Sequence, residues 1–168
     1  MTDKPLPPMP PLSTLGAAPS LAIVSQYVKD LSFETPMAPS LPQVNSQPRF
    51  EVSVNASAKR RDETLFAAEQ TIGVKAEVDG KVLFNLELVY GGVFRLQNVP
   101  ADKLVQVLMV DCQQLLFPFA RQVVTTTIAN GGFPPLMLQP VDFVALFRKN
   151  QIAKTGLPDL DRPVGKPN

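Results

Sequence analysis

The sequence contains no histidine, no tryptophan and a single cysteine, Cys112. Without imidazole there is no Ser-His-Asp triad, no Cys-His nucleophile pair and no His-containing metal site. One thiol cannot build an intramolecular disulfide framework or a CxxC zinc or redox motif. Cys112 sits in an apolar stretch and reads as a small buried hydrophobe rather than a nucleophile. An excess of either charge is missing too: 16 Lys and Arg against 15 Asp and Glu leave a formal net charge of +1. That balance gives no general argument for nucleic acid or an anionic membrane as partner. No run approaches the roughly 18 apolar residues of a membrane span. Prolines from Pro5 to Pro11 also interrupt any secretory h-region. With a solitary thiol, the expected location is the cytoplasm.

Proline, by contrast, is abundant, and its 18 copies draw the boundaries. Pro5, Pro7, Pro8, Pro10, Pro11 and Pro19 make residues 1–20 a disordered or polyproline-like arm. Residues 151–168, with Gly156, Pro158, Pro163, Gly165 and Pro167, read as a second disordered tail. An SH3-type ligand motif is conceivable in the arm, and a plain solvated tail is the simpler reading. Residues 21–150 are then one domain, its hydrophobic content adequate for a core. Between 21 and 147 lie ten basic and twelve acidic side chains, so the ordered part is mildly acidic.

Strict alternation marks strands in that core. Phe50, Val52, Val54, Ala56 and Ala58 are interleaved with polar residues. Phe66, Ala68, Ile72, Val74, Ala76 and Val78 share one parity, as do Val82, Phe84, Leu86, Leu88 and Tyr90. A first strand over about 22–34 puts Tyr27, Leu31 and Phe33 on one side and Asp30, Ser32 and Glu34 on the other. Such patterning predicts four antiparallel strands with one wet face. At Asp79-Gly80 a two-residue turn would oppose apolar and polar parities, so the expectation is a three-residue loop, 78–80. Gly80 would form a G1 bulge there, and Glu77 would face Lys81. Gly91-Gly92 reads as a strand end with a bulge or sharp bend. The proline-rich stretch 35–48 is too long for a hairpin and predicts a crossover, functional or merely connecting.

Residues 101–129 predict a long helix, opened by Pro100 and Asp102 and stopped by Asn130-Gly131-Gly132. Leu104, Leu108, Leu115, Phe119 and Val123 form its stripe. Val105, Val107, Met109, Val110 and Leu116 widen it, so the helix is expected to bury two sides, the second on another subunit. Pro118 and the β-branched run Val123–Ile128 work against a simple helix. A short helix is expected over 140–150, carrying Val141, Phe143, Val144, Leu146 and Phe147.

Catalytic equipment is thin. Asp102 and Asp111 are nine residues apart, outside the spacing that aligns carboxylates on a helix. Gly91-Gly92 begins no phosphate-binding motif. The basic run Lys59-Arg60-Arg61 is followed at once by Asp62-Glu63 and reads as a solvated hairpin tip. An enzyme would need a concave site with perturbed carboxylates, and no cofactor or metal is expected.

Several segments, in order, resemble the SecB family of bacterial export chaperones: Tyr27-Val28-Lys29-Asp30-Leu31-Ser32-Phe33-Glu34-Thr35-Pro36, Gly91-Gly92-Val93-Phe94, Leu116-Phe117-Pro118-Phe119-Ala120-Arg121 and Gly132-Phe133-Pro134-Pro135-Leu136-Met137-Leu138. The resemblance spans about 22–148. It implies an α+β fold, a four-stranded antiparallel sheet with a crossover loop and one long and one short helix packed on one face. It further implies a homotetramer, a dimer of dimers with long helices between sheets, that catalyses nothing. Such a protein keeps unfolded precursor polypeptides translocation-competent and delivers them to the SecA ATPase. By the same resemblance Asp30, Glu34 and Glu87 would meet the zinc-bearing C-terminal tail of SecA. On pattern alone ordinary solvated carboxylates are the favoured reading, and the resemblance reverses that. Relatives can carry an apolar contact near Glu87 and Trp where this chain has Ser46. The client groove would involve Leu41, Val44, Phe143 and Phe147, although Phe143 and Phe147, four apart, could equally pack the short helix onto the core. Neither nucleic acid nor membrane insertion is implied. The alternative is a general holdase or toxin–antitoxin-associated chaperone on the same fold, without SecA targeting.

Overall fold

A computed structural model of the chain describes residues 16–40 and 46–152. The proline arm up to residue 15, the tail from 153, Leu41 and Val44 lie outside the described residues. Four strands succeed one another: β1 (Ser20–Glu34), β2 (Arg49–Arg60), β3 (Leu65–Val78) and β4 (Lys81–Gln97). They form one antiparallel sheet in the order β1-β4-β3-β2. Because β1 and β2 occupy opposite edges, the connection between them crosses the sheet, as the length and prolines of 35–48 require. Along β3 the alternation is complete, with Phe66, Ala68, Ile72, Val74, Ala76 and Val78 all buried.

Three local features depart from the sequence reading. The β3–β4 turn is a two-residue turn after all: Val78 pairs with Lys81, and Asp79 and Gly80 have φ of 48° and 74°. Glu77 therefore faces Val82, not Lys81, and the parity conflict is resolved one step later. Leu83 is inserted as a bulge between the pairs Glu77–Val82 and Ala76–Phe84, so both Leu83 and Phe84 are buried. Next, Tyr27 does not share a face with Leu31 and Phe33. Lys29 is an extra residue between the pairs Val28–Tyr90 and Asp30–Val89, and this bulge reverses the parity of Ser25–Val28, until a second bulge at Val24 restores it. Finally, Gly91 and Gly92 lie inside β4, which continues past them to Gln97. They are glycines because neighbours press on them: a Cβ at Gly91 would stand 2.9 Å from both Glu69 and the Tyr27 ring, and one at Gly92 2.9 Å from Leu116.

The helical layer covers one face. It runs through α1 (Ala101–Gln106), a π turn (Val107–Asp111) and α2 (Cys112–Asn130), with Pro118 accommodated inside α2. The π turn adds a residue to the helical ring and re-aims every side chain of α2. The buried stripe is Leu108, Cys112, Leu116, Ala120, Val124 and Ile128, each fully enclosed. Leu115 and Phe119, expected in that stripe, instead point outward, 41% and 47% exposed. The β-branched run stays helical because Val124 and Ile128 pack into the core, and that burial outweighs a propensity deficit of a few tenths of a kcal/mol per residue. Two buried glutamines link helix and sheet. Gln70 Nε2 donates to the Gln113 carbonyl at 2.6 Å, and Gln113 Nε2 donates to the Ser57 carbonyl at 3.2 Å. The short helix α3 (Phe143–Ile152) begins where Asp142 Oδ1 accepts from the Ala145 N–H at 2.9 Å.

Candidate functional site: two faces of one sheet

The uncovered face of the sheet is polar by register. Leu31 and Phe33 pair with Leu88 and Leu86, both buried on the helix side, so Asp30, Ser32 and Glu34 share the opposite face with Asn85, Glu87 and Val89. Ser32 stands directly across from Glu87, which places Asp30 and Glu34 on its two diagonals. Diagonal neighbours on a sheet lie about 7–8 Å apart, within reach of one extended partner. Among the described residues none of these three carboxylates enters an ion pair. Glu34 and Glu87, with Glu51 from β2, line a concavity of about 440 Å³ on this face. Glu51 was not singled out by the sequence, although its polar parity on β2 was visible.

The Lys29 bulge keeps this row of acids on the open side, and it is clasped. Glu69 accepts from Lys29 Nζ at 2.7 Å and from the Tyr27 hydroxyl at 3.1 Å. Burial, and then the Glu69 carboxylate, hold the Tyr27 phenol above its ordinary pKa, so it remains a donor.

The helix-covered face holds an apolar cleft of about 390 Å³ where the layer stops short of the sheet. Phe50 and Pro48 of the β2 end form one side, Leu83 and Phe84 the floor, and Phe133 and Leu136 of the loop after α2 the other side. The Phe84 and Phe133 rings meet at a tilt of 54° with centroids 4.9 Å apart, with Phe33 5.4 Å from Phe84 and Phe50 6.4 Å from it. Phe143 is placed elsewhere: it is fully buried at 5.9 Å from Phe117, and Phe147 is a half-buried neighbour of the same core. The sequence missed Phe50 and Phe133 as cleft residues. The available signals were a large aromatic opening an edge strand and one flanked by glycine and proline.

Among the described residues neither face brings together a nucleophile and a base. Cys112 is enclosed, and burial, then the Asp111 charge, push its thiol up to about 12. Among the described residues no cluster of three or more His, Cys, Asp or Glu could hold a metal, and no helix is long and apolar enough to cross a membrane.

Comparison with known proteins agrees with this architecture. Residues 15–154 match the family model described as preprotein translocase subunit SecB. The protein-export protein SecB of Afipia carboxidovorans is 52% identical over 136 residues, covering 80% of this chain and 84% of that one. Its counterpart in Bradyrhizobium diazoefficiens is 49% identical over 134 residues, covering 79% and 83%. Among solved structures, a Mycobacterium tuberculosis SecB-like chaperone in complex with an antitoxin peptide superposes with a TM-score of 0.61 at 12% identity. That likeness covers 72% of this chain and 90% of that one and speaks for the fold. A family match over residues 15–154, with relatives half identical in sequence, means that this chain belongs to the SecB family of protein-export chaperones.

Proposed function

We propose that this protein binds unfolded precursor polypeptides in the cytoplasm, keeps them competent for translocation and hands them to SecA, without catalysing a reaction. The observation that carries the reading is the division of labour across one sheet: an aromatic cleft on the helix side and unpaired carboxylates on the open side. An unfolded client offers scattered apolar side chains, and burying them contributes about 25 cal/mol per Å² whatever their order. Phe50, Phe133 and Leu136 are the side chains we assign to that capture; Leu41, Val44 and Phe147 are proposed as further client contacts, and Phe143 would act from the core beside Phe117.

On the other face Asp30, Glu34 and Glu87 are the proposed contacts for the basic, zinc-bearing tail of SecA. The two surfaces do not overlap, so client and motor can be held together. Apolar side chains outside the cleft support assembly into a dimer of dimers. Leu115 and Phe119 project from the outer side of α2, and Ile23, Val24 and Val28 remain exposed at the β1 edge. Several copies then present several grooves to one chain, so weak local contacts add while each stays quick to release.

The test is a pair of titrations on the same preparation, one with an unfolded precursor and one with a SecA C-terminal peptide. Glu34→Lys is expected to abolish peptide binding and leave precursor binding intact. A chain that binds precursor but ignores the peptide would move the reading to a general or toxin–antitoxin-associated holdase. Light scattering, expected to give about four times the 18.3 kDa chain mass, checks the assembly.

A further inference from the structure

The loop that walls the cleft is fastened to the long helix through a side-chain hydroxyl. Between Asn130, the last residue of α2, and Asp142, the cap of α3, the chain carries Pro134, Pro135 and Pro140, which offer no N–H for anchoring. Among the described residues, backbone bonds secure only the loop's beginning: Gly131 N–H to Thr127 at 2.9 Å, Gly132 N–H to Ala129 at 3.1 Å and Phe133 N–H to Ile128 at 3.3 Å. Farther along, Thr125 Oγ1 lies 2.7 Å from the Leu136 carbonyl and 3.0 Å from the Arg121 carbonyl of its own helix. A hydroxyl has one proton, so these two acceptors compete for it. The loop holds the nearer position.

We propose that Thr125 is a latch that sets the width of the cleft, a positioning residue for client capture. With the hydroxyl donated to Leu136, the Phe133–Leu136 wall is seated against Phe84. When the wall swings out, the same proton turns to Arg121 and stays satisfied. The Leu136 carbonyl is left to the solvent that enters the opening cleft. Neither partner is stranded in a dry site, which makes opening inexpensive and reversible. Prolines 134 and 135 stiffen the segment so that it moves as a unit. Gly132, at φ 87°, provides the conformation at which it leaves the helix end. Met137, 65% exposed beside the buried Leu138, marks the outer lip of the same wall. A chaperone needs release as much as capture, and a hydroxyl with two alternative acceptors supplies both states.

This inference rests on the client-binding reading of the cleft, and the experiment separates the two. Dissociation of a fluorescein-labelled unfolded precursor is timed from the wild type, Thr125→Val, Thr125→Ala and Thr125→Ser. Amide hydrogen exchange is measured at Leu136, Met137 and Leu138 in the same proteins without client. The Val and Ala variants are expected to release precursor about two- to tenfold faster, the range of one net hydrogen bond. Their three loop amides should exchange faster by a similar factor. Thr125→Ser, which keeps the hydroxyl, should restore both rates toward wild type, and affinity for the SecA peptide should be unchanged throughout. Unchanged exchange and release in both hydroxyl-free variants would overturn the latch. If the wild type holds no precursor at all, the client reading falls, and the exchange rates alone decide whether Thr125 seats the loop.

Discussion

The two central strands and the two edge strands obey the same alternation, yet end in different environments. On β3 and β4 the inward residues are sealed: Ile72, Leu88 and Phe94 have no exposed surface. On β1 and β2 residues of the same inward face, Val28, Leu31, Phe50 and Val52, remain about half exposed, between 41% and 49%. The helical layer is narrower than the sheet, so it finishes the core in the middle and leaves apolar surface along both margins. One margin opens into the cleft beside Phe50, and the other leaves Val28 and Leu31 uncovered. The buried centre of the sheet holds the core, and the margins are where the proposed contacts with clients and other copies would form.

The sharpest way to break that contrast is Leu88→Ala. A cavity at a sealed site should cost about 2–5 kcal/mol, read as a lower urea midpoint at unchanged slope. Gln113→Ala comes next. It strips the Ser57 carbonyl of its donor and leaves Gln70 as the remaining glutamine of the bridge, for an expected loss of about 1–3 kcal/mol. At the margin, Val28→Ser should change unfolding of the subunit by no more than about 0.5 kcal/mol. Light scattering should nevertheless register a smaller assembly, and an undiminished mass would mean that β1 is not a contact edge. The smallest effect concerns Cys112. A thiol raised by burial is neutral in the folded state, so its contribution is complete below pH 9 and declines as pH climbs from 9 toward about 12. At pH 8 alkylation should proceed only in denaturant, and ready labelling of the native protein would contradict a sealed centre.

Some of the site was readable beforehand and some was not. The open-face placement of Asp30 and Glu34 came from parity, since each residue two along a strand returns to the same side. The cleft was harder. Phe50 and Phe133 are 83 positions apart in the sequence, and no local pattern announces that a loop after a helix will close over the start of an edge strand. Phe143 illustrates the converse, because an aromatic at helical spacing looks the same whether it faces a groove or the core.

By itself the sequence determined the four strands, the long helix, the crossover and the absence of imidazole chemistry. These arise from composition or from repeats of two and near four residues, in which many side chains vote together. Only the tertiary structure decided where single residues interrupt those repeats: Lys29 and Leu83 as bulges, and the π turn that carries Leu115 and Phe119 outward. One inserted residue costs little locally and reverses or rotates everything on one side of it, so packing between distant segments, not periodicity, selects its position.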